Sequence, residues 1–285
     1  MLTPEQFDRT RQLALRLAGI ELFDRHREVL ARKIRRLGIH DAAGFNTLLM
    51  AADAGDARAG QQLIGLLTTT FSGFFRNPSQ FDQAAEHALW AVHRRGATRL
   101  WSVAAAMGEE PYSLAMALID IFQSNDPPAT ILATDINEAA LAVALRGEYG
   151  EASLGALTPE QRTQFFSAAA GPARWQVVST VQQLVSFHAL NLVDPAWPID
   201  GQFDVIFCRN VLMYLKSSHR GSVLERIATL LAPDGLLILD PVEDPGAAGH
   251  LFTPGKNGIF FLRSKSANGT TNNRSHTNPF KGQSS

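Results

Sequence analysis

Residues Arg99–Met116 read RLWSVAAAMGEEPYSLAM, a passage from strand to turn to helix with two acids at the turn. Leu100, Trp101 and Val103–Ala106 form a short apolar run that suits a parallel strand buried on both faces. Gly108 breaks the run. Glu109, Glu110 and Pro111 then make a first helical turn, with Pro where its missing N–H costs nothing and acids where the helix dipole favours them. The helix continues through Leu114, Ala115, Leu118 and Ile119. Two acids at a helix start serve as caps or as ligand groups. A dinucleotide site calls for a Gly-x-Gly-x-x-Gly turn, and this turn has one glycine followed by carboxylates, which repel phosphate. They suit a ligand with a cationic or hydroxyl-rich end, such as an amino acid joined to a nucleoside.

Downstream, Thr130–Thr134 reads as a second strand ending in Asp135, where an acid can cap the next helix or bind a ribose diol. Ile136–Leu145 continues as a helix. Residues 148–190 are too long for a plain connection. Within them Thr158-Pro159-Glu160-Gln161 is a capping box opening a helix, and Trp175–Ser179 and Leu184–Leu190 read as strands of a small inserted subdomain. Asn191 and Leu192 return the chain to the main sheet. Phe203–Cys208 (FDVIFC) is a third buried strand that runs into Arg209, Asn210 and Tyr214, on the edge where open α/β sheets bind ligands. Ser217–Leu231 is an amphipathic helix, Pro233-Asp234-Gly235 a turn, Leu236–Leu239 a fourth strand and Gly258–Arg263 the last.

Upstream, Thr3-Pro4-Glu5-Gln6 is a capping box that starts a helix running to Ala18, with Gly19 as its stop. Asp24 opens another, to Leu37, with Leu30, Ile34 and Leu37 on one side and Arg25, Arg32 and Arg36 within about 40° of one another on the opposite side. Such a stripe is either a solvated face or a docking surface for an acidic partner. Helices over Asp41–Ala54 and Ala59–Leu67 complete an all-helical start, and a hydroxyl- and aromatic-rich linker precedes a helix over Gln80–Arg94.

With 285 residues and 45% hydrophobic content the chain can bury a large core, and its net charge of −1 gives no global signal for nucleic acid or a membrane surface. The one cysteine, Cys208, excludes an internal disulfide and fits a reducing compartment. No uncharged apolar run approaches a membrane span, and the eight histidines are scattered without metal-ligand spacing. A cytoplasmic monomer without a metal site is expected.

Four motifs in one order, LLTTTFSGFFRNPSQF, WSVAAAMGEEPYSLAM, LATDINEAALAVALRGEY and FDVIFCRNVLMYL with LLAPDGLLIL, closely resemble the CheR-type chemotaxis receptor methyltransferases over about residues 5–264. The resemblance implies an α/β, Rossmann-like S-adenosylmethionine-dependent methyltransferase domain (residues 91–264) with a small antiparallel insertion (about 150–190). It is preceded by a helical receptor-recognition domain (1–70) and a linker (71–90). From Ser264 onward only Ala267 and Phe280 are hydrophobic among Ser, Asn, Thr and Gly, so a disordered tail (265–285) is expected from composition. The resemblance implies methyl transfer from S-adenosylmethionine to glutamate side chains of chemoreceptors, with S-adenosylhomocysteine as product. Arg76 and Glu110 would hold the amino-acid end of the cofactor, Asp135 the ribose, and Asn191 and Leu192 the adenine. Thr70 and Ser72 would close the site from the linker, and Arg209, Asn210 and Tyr214 would face the methyl group and the incoming glutamate. Arg25, Arg32 and Arg36 would lie along the acidic receptor helices.

A carboxylate is already ionised at neutral pH, so the nucleophile needs alignment and loss of water more than a general base. The family commonly has Asn where this chain has Thr70, and Ser before the acid where it reads Asp240-Pro241-Val242-Glu243. Competing readings are a methyltransferase acting on a small molecule or on nitrogen, and a non-catalytic regulator that binds S-adenosylmethionine and a receptor.

Overall fold

A computed structural model describes residues 2–39, 41–70 and 72–263. The expected disordered tail and linker residue Phe71 lie outside the described residues. The chain opens with α1 (Pro4–Ala18), α2 (Arg27–Arg36), α3 (Ala42–Asp53) and α4 (Ala57–Leu67), followed by α5 (Pro78–Arg95). The Thr3 capping box forms, with Gln6 N donating to Thr3 Oγ1 at 3.2 Å and Thr3 N to Gln6 Oε1 at 3.1 Å. Gly19 ends α1 at φ 64°, a left-handed conformation that glycine adopts without a Cβ penalty. Phe7, Leu13, Leu30, Ile34, Phe45, Leu49 and Leu63 form the helical core.

Then follow β1 (Thr98–Ser102), α6 (Glu109–Phe122), β2 (Ala129–Asp135), α7 (Glu138–Arg146), β3 (Glu148–Gly150), α8 (Pro159–Phe165), β4 (Phe166–Ala168) and β5 (Arg174–Val177). The chain closes with α9 (Ser179–Gln182), β6 (Val185–Ala189), β7 (Phe203–Phe207), α10 (Ser217–Leu230), β8 (Leu231–Ile238), β9 (Phe252–Pro254) and β10 (Ile259–Leu262). The main sheet has the order β6-β2-β1-β7-β8-β10-β9. Its first five strands are parallel, and β10 and β9 are antiparallel additions. The order reverses between β1 and β7, so the ligand crevice of an open α/β sheet falls at their carboxyl ends. Trp101 on β1 is fully buried; its Nε1 donates to Thr134 Oγ1 at 3.0 Å, and that hydroxyl donates to Val103 O at 2.8 Å. The indole is thus buried without an orphaned donor, and it ties β1 to β2.

Several expectations are corrected. The strand at β1 stops at Ser102, because Ala106 (φ 48°) and Gly108 (φ 98°) turn the backbone left-handed before α6. A Cβ on Gly108 would meet Ala144 Cβ and Tyr149 Oη at 2.9 Å, so both conformation and space require glycine there. Val185–Ala189 does not belong to the insertion: it pairs parallel with β2 at the sheet edge. The insertion is the antiparallel sheet β3-β5-β4, whose two outer strands had no separate sequence signal. Asp24–His26 is a 3₁₀ turn, so only Arg32 and Arg36 of the expected arginine stripe lie on α2 itself, and Leu37 is exposed rather than buried. The Pro233-Asp234-Gly235 turn is absorbed into β8 beside a register shift against β7. No helix among the described residues is long and apolar enough to cross a membrane.

The helical start is seated on the sheet by specific bonds. Ile20 bridges Leu215, Glu21 N donates to Tyr214 O and Lys216 N to Gly19 O, both at 2.9 Å. Asn191 Nδ2 donates to Leu17 O at 2.9 Å, and Asn137 Nδ2 donates to Thr68 Oγ1 at 2.9 Å. Lys33 of α2 donates to Leu66 O at 3.0 Å and Thr68 O at 2.7 Å, fixing the chain where α4 gives way to the linker.

Candidate functional site

The carboxyl ends of β1, β2, β6 and β7 open into one cleft, covered by the end of α1 and by Leu67–Thr70, Ser72 and Arg76. The space between its walls, open mouth included, is about 1030 Å³. Thr70, Ser72, Arg76, Glu110, Asp135, Asn191, Leu192, Arg209, Asn210 and Tyr214 all line it. Arg25, Arg32 and Arg36 lie elsewhere, exposed on the helical domain. Its apolar wall includes Val103, Ile136, Leu190, Leu192 and Leu215.

Glu110 stands in the first turn of α6, buried at the crossing of four elements. Its Oε1 accepts from Ser102 Oγ and its Oε2 from Arg209 Nε, both at 2.8 Å. Arg209, at the end of β7, is committed to the protein interior. Its Nη1 donates to Arg76 O at 2.6 Å and to Gln80 Oε1 at 2.8 Å. Its guanidinium carbon lies 5.1 Å and 5.2 Å from the ring centroids of Phe81 and Phe207. With its side chain 2% exposed, Arg209 lines the cleft while its Nε and Nη1 hold Glu110, the linker and Gln80. Glu110 retains a lone pair on each oxygen for a cationic ligand group.

Asp135 accepts from Ala106 N through Oδ2 and from Asn137 N through Oδ1, each at 2.8 Å. It therefore caps its own turn and clamps the left-handed Ala106 loop while still lining the cleft. Burial raises its carboxyl above the ordinary aspartate value, against the lowering effect of N–H bonds from Asn137, Ala106 and Ile136. Glu109 is not among the residues that line the cleft. Burial raises its carboxyl as well, and Ser72 of the linker bonds to it.

Asn210 has φ 55° and donates through Nδ2 to Asp240 Oδ2 at 3.0 Å, leaving one amide hydrogen. Arg76, its side chain 43% exposed, lies 3.9 Å from the same Asp240 oxygen and keeps most of its donors. Asn191 spends its amide on Leu17 O and on Asp194 Oδ1, both at 2.9 Å, so it offers the cleft backbone and shape more than a free side-chain donor. Tyr214 is 38% exposed at the mouth.

The model of the SAM-binding domain of the CheR methyltransferases matches residues 70–246. The chain belongs to the CheR methyltransferase family. It is 35% identical over 257 residues to "Chemotaxis protein methyltransferase 2" of Pseudomonas aeruginosa, covering 87% of this chain and 90% of that one. It is 36% identical over 258 residues to the chemotaxis protein methyltransferase of Escherichia coli, covering 88% of each. Among solved structures, the DhpI–SAH complex covers 66% of this chain and 69% of its own, with a TM-score of 0.32 and 17% identity, a likeness too slight to argue from.

S-adenosylmethionine is the cofactor of this domain, and the donor set suits it. Glu110 and Asp135 offer acceptors of the kind an ammonium and a ribose diol need, Arg76 offers donors of the kind a carboxylate needs, and the apolar wall is of the kind that covers a base. Sequence reasoning missed Gln80, fully buried, which accepts from Arg209 and donates to Leu239 O at 2.7 Å and Asn257 O at 2.6 Å. Ser102 and the Leu190 wall were also missed. A lone Gln at a helix start carries no motif signal, whereas Leu190, adjoining Asn191, could have been found by extending that pair one residue back.

Asp135 imposes a pH dependence if it takes the ribose diol. Hydroxyl donors favour its ionised form, so affinity is full above its raised pKa and is lost as pH falls through it. The acid limb of S-adenosylhomocysteine binding should therefore lie above pH 3.8, the ordinary value. Calorimetric titration should show that limb in the wild-type protein and none in Asp135→Asn. A limb that persists in the variant assigns it to another group.

Proposed function

We propose that this protein methylates glutamate side chains in the cytoplasmic part of methyl-accepting chemoreceptors, giving glutamate 5-O-methyl esters and S-adenosylhomocysteine. The observation that carries the reading is the titratable content of the cleft. Among the described residues its lining holds Arg76, Glu110, Asp135, Arg209 and Tyr214, with no histidine, lysine or cysteine. Glu110 is bonded on both oxygens and Asp135 accepts backbone N–H groups on both, so neither stands free as a general base. A glutamate acceptor titrates near 4.3 and arrives ionised, whereas a lysine acceptor near 10.4 would first need a base. The site composition supports a carboxylate acceptor over an amine, and the names of the relatives support a chemotaxis role.

When bound, S-adenosylmethionine supplies an electrophilic methyl group on a sulfonium. On this reading Arg76 and Glu110 hold its amino-acid end, Asp135 its ribose, and Asn191 and Leu192 the adenine side, with Thr70 and Ser72 closing over it. Asn210 and Tyr214 orient the acceptor carboxylate, and Arg209 acts through Glu110. The Val103, Ile136 and Leu215 wall excludes water, which favours a step in which opposite charges are neutralised. Orientation by neutral donors serves the nucleophile better than a tight ion pair that would hold its charge back.

Docking is assigned to Arg25, Arg32 and Arg36. The structure of the basic segment narrows which charges are free. Arg27 donates to Leu2 O at 2.8 Å and Lys33 to the end of α4, while Arg25, Arg32, Arg35 and Arg36 are exposed. Receptor methylation regions rich in glutamate would meet that surface.

Incubation of receptor-containing membranes with methyl-tritiated cofactor should give label that alkali releases as methanol. Alkali-stable label would point to nitrogen and sink the ester reading. Converting Arg32 and Arg36 together to Glu should raise the KM for receptor about fivefold at physiological salt and flatten its salt dependence. The affinity for S-adenosylhomocysteine should stay unchanged. An unchanged KM would leave these arginines as a solvated face.

A further inference from the structure

Beyond β8 the chain turns through Asp240, Pro241, Val242 and Glu243, and the two acids of that turn grip the segment that follows β7. Glu243 Oε2 accepts from Asn210 N at 2.9 Å and from Asp240 N at 3.3 Å, and the Met213 N–H also bonds to this carboxylate. Asp240 Oδ2 takes the Asn210 amide. Asn210 is held in the left-handed region, which asparagine visits more readily than most residues but still at a cost. The backbone thus leaves β7 by a sharp reversal into the 3₁₀ turn Leu212–Tyr214, and partners 30 and 33 residues later pin that reversal.

The pin is expensive. Glu243 Oε1 is buried without a hydrogen-bond partner, Asp240 is a second acid beside it, and burial raises the Glu243 carboxyl. Stability alone does not favour such an arrangement; a costly buried group persists where a conformation must be held. The conformation held here is the one carrying the Asn210 amide and the Tyr214 phenol at the cleft.

We propose that Glu243 is a positioning residue for the methyl acceptor, gathering the N–H groups of Asn210 and Met213 so that Asn210 and Tyr214 meet the incoming carboxylate in register with the cofactor. The inference rests on the reading that the acceptor enters beside Tyr214. Glu243 does not line the cleft. It acts through Asn210 and the turn, so its loss should appear in the rate and not in cofactor binding.

The test compares Glu243→Ala, Glu243→Gln and Glu243→Asp with the wild-type protein. The measurements are kcat and KM on receptor-containing membranes, the dissociation constant of S-adenosylhomocysteine by calorimetry, and the urea midpoint. Misplacing a reacting group by an ångström can cost up to a hundredfold, so Glu243→Ala should lower kcat roughly 10–100-fold, with the dissociation constant within about twofold. Glu243→Gln keeps a carbonyl acceptor and should recover kcat to within about threefold of wild type. Glu243→Asp keeps the charge but shortens the reach, and should lower kcat about tenfold. It serves as the test should the alanine variant not fold.

Unchanged kcat in Glu243→Ala, or in Glu243→Asp if it stands in, overturns the inference. Equal loss in the Gln and Ala variants also overturns it, in favour of a role for the charge. So does a loss of S-adenosylhomocysteine binding that tracks the urea midpoint, which would mark a purely structural group. A wild-type protein that transfers no methyl to the membranes instead overturns the underlying functional reading, and the inference with it.

Discussion

The buried ion pair between Arg209 and Glu110 is the contact on which the cleft depends. The two residues are 99 positions apart, yet one guanidinium joins the end of β7 to the first turn of α6, the linker backbone at Arg76 and Gln80 of α5. Taking both charges out of water costs several kcal/mol per ion, repaid only by good geometry and full hydrogen bonding. Here the geometry is supplied: Ser102 takes the other Glu110 oxygen, and Phe81 and Phe207 cover the planar cation. Lysine could not replace it, since one ammonium cannot present donors in the fixed planar fork used here.

From that pair the rest of the site follows in two directions. Toward the cofactor, Glu110 and the loop after β1 are fixed, and Asp135 holds the loop from the other side through Ala106 N. Toward the acceptor, the chain leaving Arg209 enters the pinned turn at Asn210. The helical domain supplies the cover rather than the chemistry: Ala18, Ile20 and Leu67–Thr70 reach the cleft. Bonds from Lys33, Asn137 and Asn191 keep that cover in register with the sheet. Lys33 belongs to the same helix as the exposed Arg32 and Arg36, so Lys33 ties the helix proposed for docking to the segment that covers the cleft.

Much of this was legible from local chemistry. Both capping boxes, at Thr3 and Thr158, form as their sequences require, and FDVIF is a strand with every residue buried. The convergence of ten expected residues on one cleft came through the family resemblance, because residues as far apart as Glu110 and Arg209, 99 positions, carry no local sign that they meet. Tertiary contacts decided what was misread. The apolar text of Val103–Ala106 looks like strand, but a positive φ at Ala106 and the Asp135 clamp make it loop. Val185–Ala189 has too little burial on either face to announce a place in the main sheet, and only its parallel pairing with β2 puts it there. The position of Arg209 after a buried strand marks it as a ligand-edge residue but not as the holder of Glu110 and the linker. Its partners, 99 to 133 residues away, are invisible locally.

A double-mutant cycle tests the central claim most directly, with Arg209→Met, Glu110→Gln and the pair compared by urea unfolding. Each single change leaves a buried charge without its counterpart and should cost about 3–5 kcal/mol. The double variant removes both charges and should cost no more than either single one, giving a coupling of about 3 kcal/mol or more. Costs that simply add would show that the two side chains are independent, and that the cleft does not depend on their pairing.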